Sequence, residues 1–309
     1  MTGSAIWQLD GKKGILQSRQ AIMEAVRRFF IERDYLEVET PNRIPAPVPE
    51  THIDSFASGD WFLHPSPEVC MKRLLAAGYE RLFQICKCYR EGERGARHLP
   101  EFTLLEWYRA GADYTDLMRD CEALLSCVAG WTGAGGRLAF QGVPLDLEPP
   151  WERITVDEAF RRYAAMPVKE ALDADRFEEI LVDRVEPRLG FGKPAFLYDY
   201  PLPLASLAKK KKADPRVAER FELYLCGMEL ANGFSELTDP EEQRCRFEEA
   251  MEQRRRIGKP ASPMPEPFLA DLAGMPEAAG IALGLDRLVM VLTDSATIDR
   301  VVAFTPEML

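Results

Sequence analysis

Apolar positions in this chain follow two periods. Over residues 15–34, Ile22, Val26, Phe29 and Phe30 make one stripe with charges between them, which predicts a helix. Tyr35-Leu-Glu-Val-Glu-Thr40 alternates like a strand and stops at Pro41. A loop with Pro45, Pro47 and Pro49 follows, then a strand over 61–64. Ser66-Pro67-Glu68 opens a helix through Met71, Leu74 and Leu75, with proline in its first turn. Residues 81–109 read as a hairpin, 114–130 as a helix and 130–136 as a glycine-rich break. Residues 196–200 read as a strand ended by Pro201, 221–231 as a second hairpin, and 240–257 as a charged helix. Gly280 to Arg287 leads into an apolar helix at 288–292. Strands joined mostly by hairpins, with helices in blocks, predict an α+β fold on a largely antiparallel sheet. The stretch 151–190 carries no sharp signal, and there is no internal repeat.

The first hairpin concentrates chemistry. Alternation in Phe83-Gln-Ile-Cys-Lys-Cys-Tyr-Arg90 and Phe102-Thr-Leu-Leu-Glu106-Trp-Tyr108 predicts two antiparallel strands. With Arg90 opposite Phe102, even numbers pair with even numbers. Arg90, Phe102, Glu106 and Tyr108 then share one face, while Leu105 and Trp107 turn to a core. A fixed cation, an aromatic plate, a carboxylate and a phenol suit a planar ligand bearing phosphate.

The second hairpin extends the same argument. With Cys226-Gly227 as its two-residue loop, Tyr224 pairs with Glu229 and Glu222 with Ala231. Glu222 and Glu229 then lie together on one face, where they repel unless a cation intervenes. Magnesium bridging nucleotide phosphates meets that need with one or two carboxylates. Glu236 can join Glu68 and Glu106 around a ligand ammonium, completed by a phenol such as Tyr108. Arg287, at the start of an apolar helix, can clamp a terminal phosphate.

Composition narrows the classes. The 309 residues carry 39 Lys+Arg against 50 Asp+Glu, a net charge of −11. That balance argues against general nucleic-acid binding, which rests on basic residues. The first ten residues show no apolar leader core, and no stretch is long enough to span a bilayer, so a cytoplasmic protein is expected. The seven cysteines are scattered and read as reduced thiols. Cys86 and Cys88 sit closer than a usual zinc pair, and with three histidines in all a structural metal site is not expected.

Taken together, these residues resemble the three signature motifs of class II aminoacyl-tRNA synthetases, closest to lysyl-tRNA synthetase. Tyr35 to Pro41 with the preceding helix resembles motif 1, the dimer-interface element, and implies a homodimer. Residues 83–108 resemble motif 2, and Gly280 to Arg287 motif 3. Glu229-Leu-Ala-Asn-Gly-Phe-Ser-Glu236 is similar to the lysine-type stretch. The resemblance implies ATP and Mg2+ as cofactors. It implies that Arg90 contacts the α-phosphate, Phe102 stacks on adenine, His98 lies by the phosphates and Arg287 holds the γ-phosphate. It assigns magnesium to Glu222 and Glu229, and the amino-acid pocket to Ser66, Glu68, Glu106, Tyr108, Asn232, Phe234 and Glu236. In the motif 2 loop the expected glutamate falls at Gly92, leaving Glu91 or Glu93 for its role, with Glu93 favoured.

The likeness to lysyl-tRNA synthetase has gaps. An anticodon-binding barrel of roughly a hundred residues or more is expected ahead of motif 1 and is not seen. One catalytic domain over 1–309 is therefore expected, with the stretch at about 130–195 as the place for an insertion and no tRNA anticodon recognition. That outline resembles the elongation factor P–lysine ligase family, as do Ser66-Pro-Glu68 and Trp107. So does Ala282, where lysyl-tRNA synthetases usually have glycine. The resemblance implies activation of a lysine-type amino acid, (R)-β-lysine in preference to α-lysine, and its transfer to a lysine of elongation factor P. A methyl at Ala282 trims the pocket, worth ~1–3 kcal/mol of discrimination. Two rival readings are a truncated synthetase with another acceptor and an inactive regulatory paralogue. Lys209 to Lys212 could dock an acidic partner, with Arg94 and Arg97 framing the entrance, or form a solvated loop.

Overall fold

The computed structural model describes residues 9–133 and 135–309. The leader reading therefore falls almost wholly outside the described residues. The first long helix among the described residues, α1 (Lys13–Ile31), buries Ile22, Ala25, Val26, Phe29 and Phe30. β1 (Leu36–Glu37) follows, shorter than its alternating pattern predicts. It is an edge strand, parallel to its neighbour, and it ends at Glu37, short of the expected stop at Pro41. β2 (Arg43–Ile44), β3 (Ala57–Ser58) and β4 (Trp61–Leu63) make a small separate sheet. α2 (Glu68–Ala76) leads into β5 (Arg81–Tyr89) and β6 (Glu101–Ala110). α3 (Tyr114–Trp131) starts at Asp113, whose side chain accepts from the backbone N–H groups of Thr115 and Asp116.

The weakly patterned region contains a hairpin, β7 (Arg137–Phe140) with β8 (Val143–Asp146), then β9 (Glu152–Thr155) and short helical turns between 156 and 188. β10 (Ala195–Pro201), β11 (Val217–Leu225) and β12 (Met228–Ser235) return to the main sheet. α4 (Pro240–Arg256), α5 (Glu266–Leu272), β13 (Ala278–Gly284) and α6 (Leu285–Leu292) complete it. The eight-stranded sheet runs β1-β5-β6-β13-β12-β11-β10-β9. It is mixed: the pairs from β5 through β10 are antiparallel, and β1 and β9 are parallel additions at the two edges.

The two faces of the sheet differ as the alternation predicts. Phe83, Leu105 and Trp107 turn to a core built with Phe29 and Phe30 of α1, Leu117 and Leu124 of α3 and Leu288 of α6. Phe30 stacks on Phe83 with centroids 4.9 Å apart. The opposite face carries the polar residues and is covered near one end by Met71 and Leu75 of α2 with Phe268 of α5.

Two registers depart from the sequence reading. Cys88, not Arg90, pairs with Phe102, and the Arg90 N–H donates to the Pro100 carbonyl. The slip is two residues, so the faces are unchanged. In the second hairpin, Tyr224 pairs with Glu229 as expected, through a turn whose two residues both have positive φ (Cys226 49°, Gly227 68°). Glu222, however, pairs with Asn232 rather than Ala231, because a bulge at Leu230 adds one residue to β12. That bulge puts odd-numbered Glu229 and even-numbered Asn232 and Phe234 on the same face.

Candidate active site

Pairing across the sheet brings the predicted residues into rows. Glu106, Ala282, Asn232 and Glu222 are successive partners across β6, β13, β12 and β11. Tyr108, Gly280, Phe234 and Arg220 form the next row. Above them lies a cavity of about 230 Å3, a size for a small amino acid rather than a nucleotide. Seven of the eight residues assigned to the amino acid line it: Ser66, Glu68, Glu106, Tyr108, Asn232, Phe234 and Ala282. Arg90 lines it too.

Glu236 is the exception. It lies behind Gly280, against which its Oε1 and the Tyr108 ring pack so closely that any Cβ at Gly280 would collide with both. Its ammonium partner is already in the chain. Lys72 Nζ is 2.5 Å from Glu236 Oε2 and 2.6 Å from Glu68 Oε1, and both Lys72 and Glu236 are buried. The sequence reading missed Lys72, although its i+4 spacing from Glu68 on a helix marks such a pair. Burial pulls the Lys72 ammonium down, but Glu236 and Glu68 outweigh it and hold the group charged. The cluster thus holds one cation against two carboxylates. Glu236 Oε1 has no hydrogen-bond partner.

Glu106 is buried and accepts from Ser66 (2.6 Å) and Tyr108 (3.0 Å). Burial and then the Glu68 charge push its pKa up to about 8, against which the two hydroxyl donors work. It is largely protonated at neutral pH. Its raised folded pKa means that its stabilising contribution is full below the unfolded value near 4.5 and is lost as pH rises through about 8. The ligand-free protein is expected to lose thermal stability between pH 5 and 8. An ammonium ligand, by favouring the ionised carboxylate, should flatten the fall, and Glu106→Gln should remove its share. Melting curves across that range check this; a wild-type slope matching Glu106→Gln would contradict it.

At the other end of the row, Arg90 lies with its guanidinium carbon 5.1 Å from the Phe102 ring centre and Nη1 3.8 Å from Glu93. Its Nε is buried with no acceptor. Glu91 is exposed, so of the two candidate loop acids it is Glu93 that stands beside Arg90. Arg287, set by β13 at the first turn of α6, donates to His98 Nε2 (2.6 Å) and to the Glu229 carbonyl (2.7 Å), with Glu229 Oε2 at 3.4 Å. Burial and then Arg287 lower the His98 pKa, so the imidazole stays neutral and accepts.

The expected metal pair divides. Both oxygens of Glu222 are taken: Arg220 donates at 2.7 Å, and Tyr200 and Tyr224 each at 2.6 Å. Arg220, two residues before Glu222 on one strand face, is a second residue the sequence reading passed over. Glu229 is more open. Glu186 joins them by donation from Tyr224 at 3.0 Å. Burial first, and then Glu222 and Glu229, push its pKa up to about 7 despite the tyrosine. Of the three acids, Glu229 is the one left open, and one or two carboxylates with phosphate oxygens suffice for a hard divalent cation such as magnesium.

Other expected roles are corrected. Arg94 is tied to Asp299 and Glu307 at the chain's end, and Arg97 to the Gly227 carbonyl, so Arg94 does not frame an entrance. Lys209 pairs with Glu277 and Lys211 with Asp199, leaving only Lys210 and Lys212 exposed, so the four lysines are not one patch. Cys86 and Cys88 do not stand apart from histidine: their sulfurs, 3.8 Å apart, cluster with His64.

A mixed sheet carrying an arginine, an aromatic plate and a row of carboxylates on one face is the catalytic architecture of class II synthetases. Residues 8–308 match the family model of tRNA synthetases class II (D, K and N), and the chain belongs to that family. Its curated relatives narrow the kind. The chain is 42% identical to the elongation factor P–(R)-beta-lysine ligase of Erwinia tasmaniensis over 99% of both chains. It is 41% identical to that of Pectobacterium carotovorum and 40% identical to that of Salmonella gallinarum, again over 99% of each. The motif resemblance to that ligase family is therefore confirmed. Among the described residues, no helix is long and apolar enough to cross a membrane.

Proposed function

We propose that the protein is an ATP-dependent ligase that activates a lysine-type amino acid, (R)-β-lysine in preference to α-lysine, and transfers it to the ε-amine of a lysine of elongation factor P in the cytoplasm. One observation carries the reading. A single cavity has the unpartnered Arg90 donor at one end and Glu68, Glu106 and Tyr108 at the other. The 40–42% identity to the ligases over the full match supports the acceptor.

The amino-acid carboxylate attacks the α-phosphorus of ATP, giving an acyl-adenylate and pyrophosphate. The acceptor amine then attacks the acyl carbon, forming an amide and releasing AMP. Arg90 draws the carboxylate and α-phosphate together, and Phe102 offers a plate for adenine. Arg287, with neutral His98 and Glu93 beside the path, holds the terminal phosphate. These steps need position and charge more than covalent chemistry from the protein. A magnesium ion would be held by Glu229, with Glu222 and Glu186 behind it, and would neutralise the phosphates. Glu106 and Tyr108 receive the amine while Asn232, Phe234, Ser66 and the Ala282 methyl shape the pocket. Glu236 acts from behind through Lys72, which it shares with Glu68.

ATP–pyrophosphate exchange with (R)-β-lysine and with α-lysine tests the activation step. Faster exchange with (R)-β-lysine is expected; none with either would overturn the reading. A homodimer through α1 and β1 belongs to the same proposal. Ile31 and Leu36, large and apolar, stand 57% and 50% exposed there. Leu36→Asp should shift light-scattering mass from dimer to monomer, and a wild-type monomer at micromolar concentration would remove this part.

A further inference from the structure

Beside the pocket, on the same sheet face, lies a cluster that the proposed reaction does not use. Cys86 and Cys88 pair with Leu104 and Phe102 across β5 and β6. His64, just past the end of β4, is held by two backbone bonds, one to the residue before β2 and one to β5. Its N–H donates to the Asn42 carbonyl and its own carbonyl accepts from Tyr89. The His64 ring is buried, and its Nε2 lies 2.7 Å from the Lys87 carbonyl. A carbonyl only accepts, so Nε2 carries the hydrogen and Nδ1 keeps its lone pair. That Nδ1 is buried with no partner. A ring nitrogen of His64 and both sulfurs lie within 4.8 Å of one another.

We propose that His64, Cys86 and Cys88 form a three-ligand site for a thiophilic metal ion, Zn2+ in particular, next to the active site. The sulfur spacing agrees. Two thiolates at the Zn–S length of about 2.3 Å in a tetrahedron stand about 3.8 Å apart, and the sulfurs here are 3.8 Å apart. A backbone carbonyl fixing the tautomer of a histidine through its far nitrogen is the usual support for a ligating imidazole. A small rotation of the His64 ring closes the remaining gap. Binding releases the two thiol protons to solvent and leaves the imidazole neutral. The fourth position falls to water on the side of half-buried Cys86. The two sulfurs face one way because they are two apart on a strand, and the histidine comes from a different sheet. A Cys-x-Cys spacing read alone therefore hides the site.

The test uses the full chain, reduced and freed of metal, titrated with Co2+ and Zn2+ alone. One equivalent of Co2+ should give thiolate charge-transfer and tetrahedral ligand-field bands, and Zn2+ should displace it and raise the melting temperature. Cys86→Ser with Cys88→Ser should weaken binding more than ~100-fold, beyond the ~10–100-fold typical of losing a supporting partner. His64→Ala should weaken binding while both sulfurs remain. Melting of the metal-free variants at the metal-free wild-type temperature shows that they fold. Absence of thiolate bands in the wild type, equal binding by the double cysteine variant, or a Cys86–Cys88 disulfide formed in place of binding would each overturn the proposal.

Discussion

Arg287→Ala should lower ATP–pyrophosphate exchange by about 10³-fold, or ~4 kcal/mol of barrier, with the melting temperature little changed. The guanidinium sits at the first turn of α6, where the helix end already favours anions. In the ligand-free molecule it spends its donors on His98 and on Glu229. These partners lie at the mouth of the site and can be exchanged for phosphate oxygens without leaving a buried group unpaired. The loss should therefore fall on the chemical step and on ATP rather than on folding. Pre-steady-state exchange beside a melting curve separates the two. Exchange within tenfold of wild type would remove Arg287 from the phosphate site.

Lys72→Met should cost about 3–5 kcal/mol of stability, the penalty for leaving buried charge without its partner. Lys72 is 1% exposed and neutralises Glu68 and Glu236, the latter 0% exposed. Methionine keeps the volume and removes the charge, so two carboxylates would face each other in a low dielectric. Adding Glu236→Gln should recover part of the loss, since the neutral amide no longer needs a cation. Urea unfolding of the single and double variants measures both. A loss below about 1 kcal/mol for Lys72→Met, or no recovery in the pair, would mean that the cluster is not an ion pair in solution.

Alternation made most of the site legible. Parity alone placed Arg90, Phe102, Glu106 and Tyr108 on one face, and a two-residue register slip left that intact because the side-chain period is two. The bulge at Leu230 was not legible, since nothing in Met228-Glu-Leu-Ala-Asn232 marks an inserted residue. Yet that bulge is what lets Glu229 and Asn232 serve one face. Glu236 is offered by the sequence to the ammonium of a ligand. Its nearest cation is Lys72, brought by a helix packed over the sheet. The metal reading of Glu222 failed to foresee Arg220, Tyr200 and Tyr224 for a related reason: parity lists what shares a face, not which neighbours claim the oxygens. The His64 cluster is hidden because its two cysteines share one strand of the large sheet while the histidine follows a strand of the small one. Strand edges were the least legible feature, as β1 shows: alternation over six residues yielded two paired ones because the strand lies at the margin.

The most direct test of the central claim is the mass of elongation factor P after incubation with the protein, ATP, Mg2+ and (R)-β-lysine. The account predicts a gain of one lysyl residue on a single lysine side chain, dependent on ATP and lost with Arg287→Ala. Unmodified elongation factor P, under conditions where the amino acid is converted to its adenylate, would contradict it.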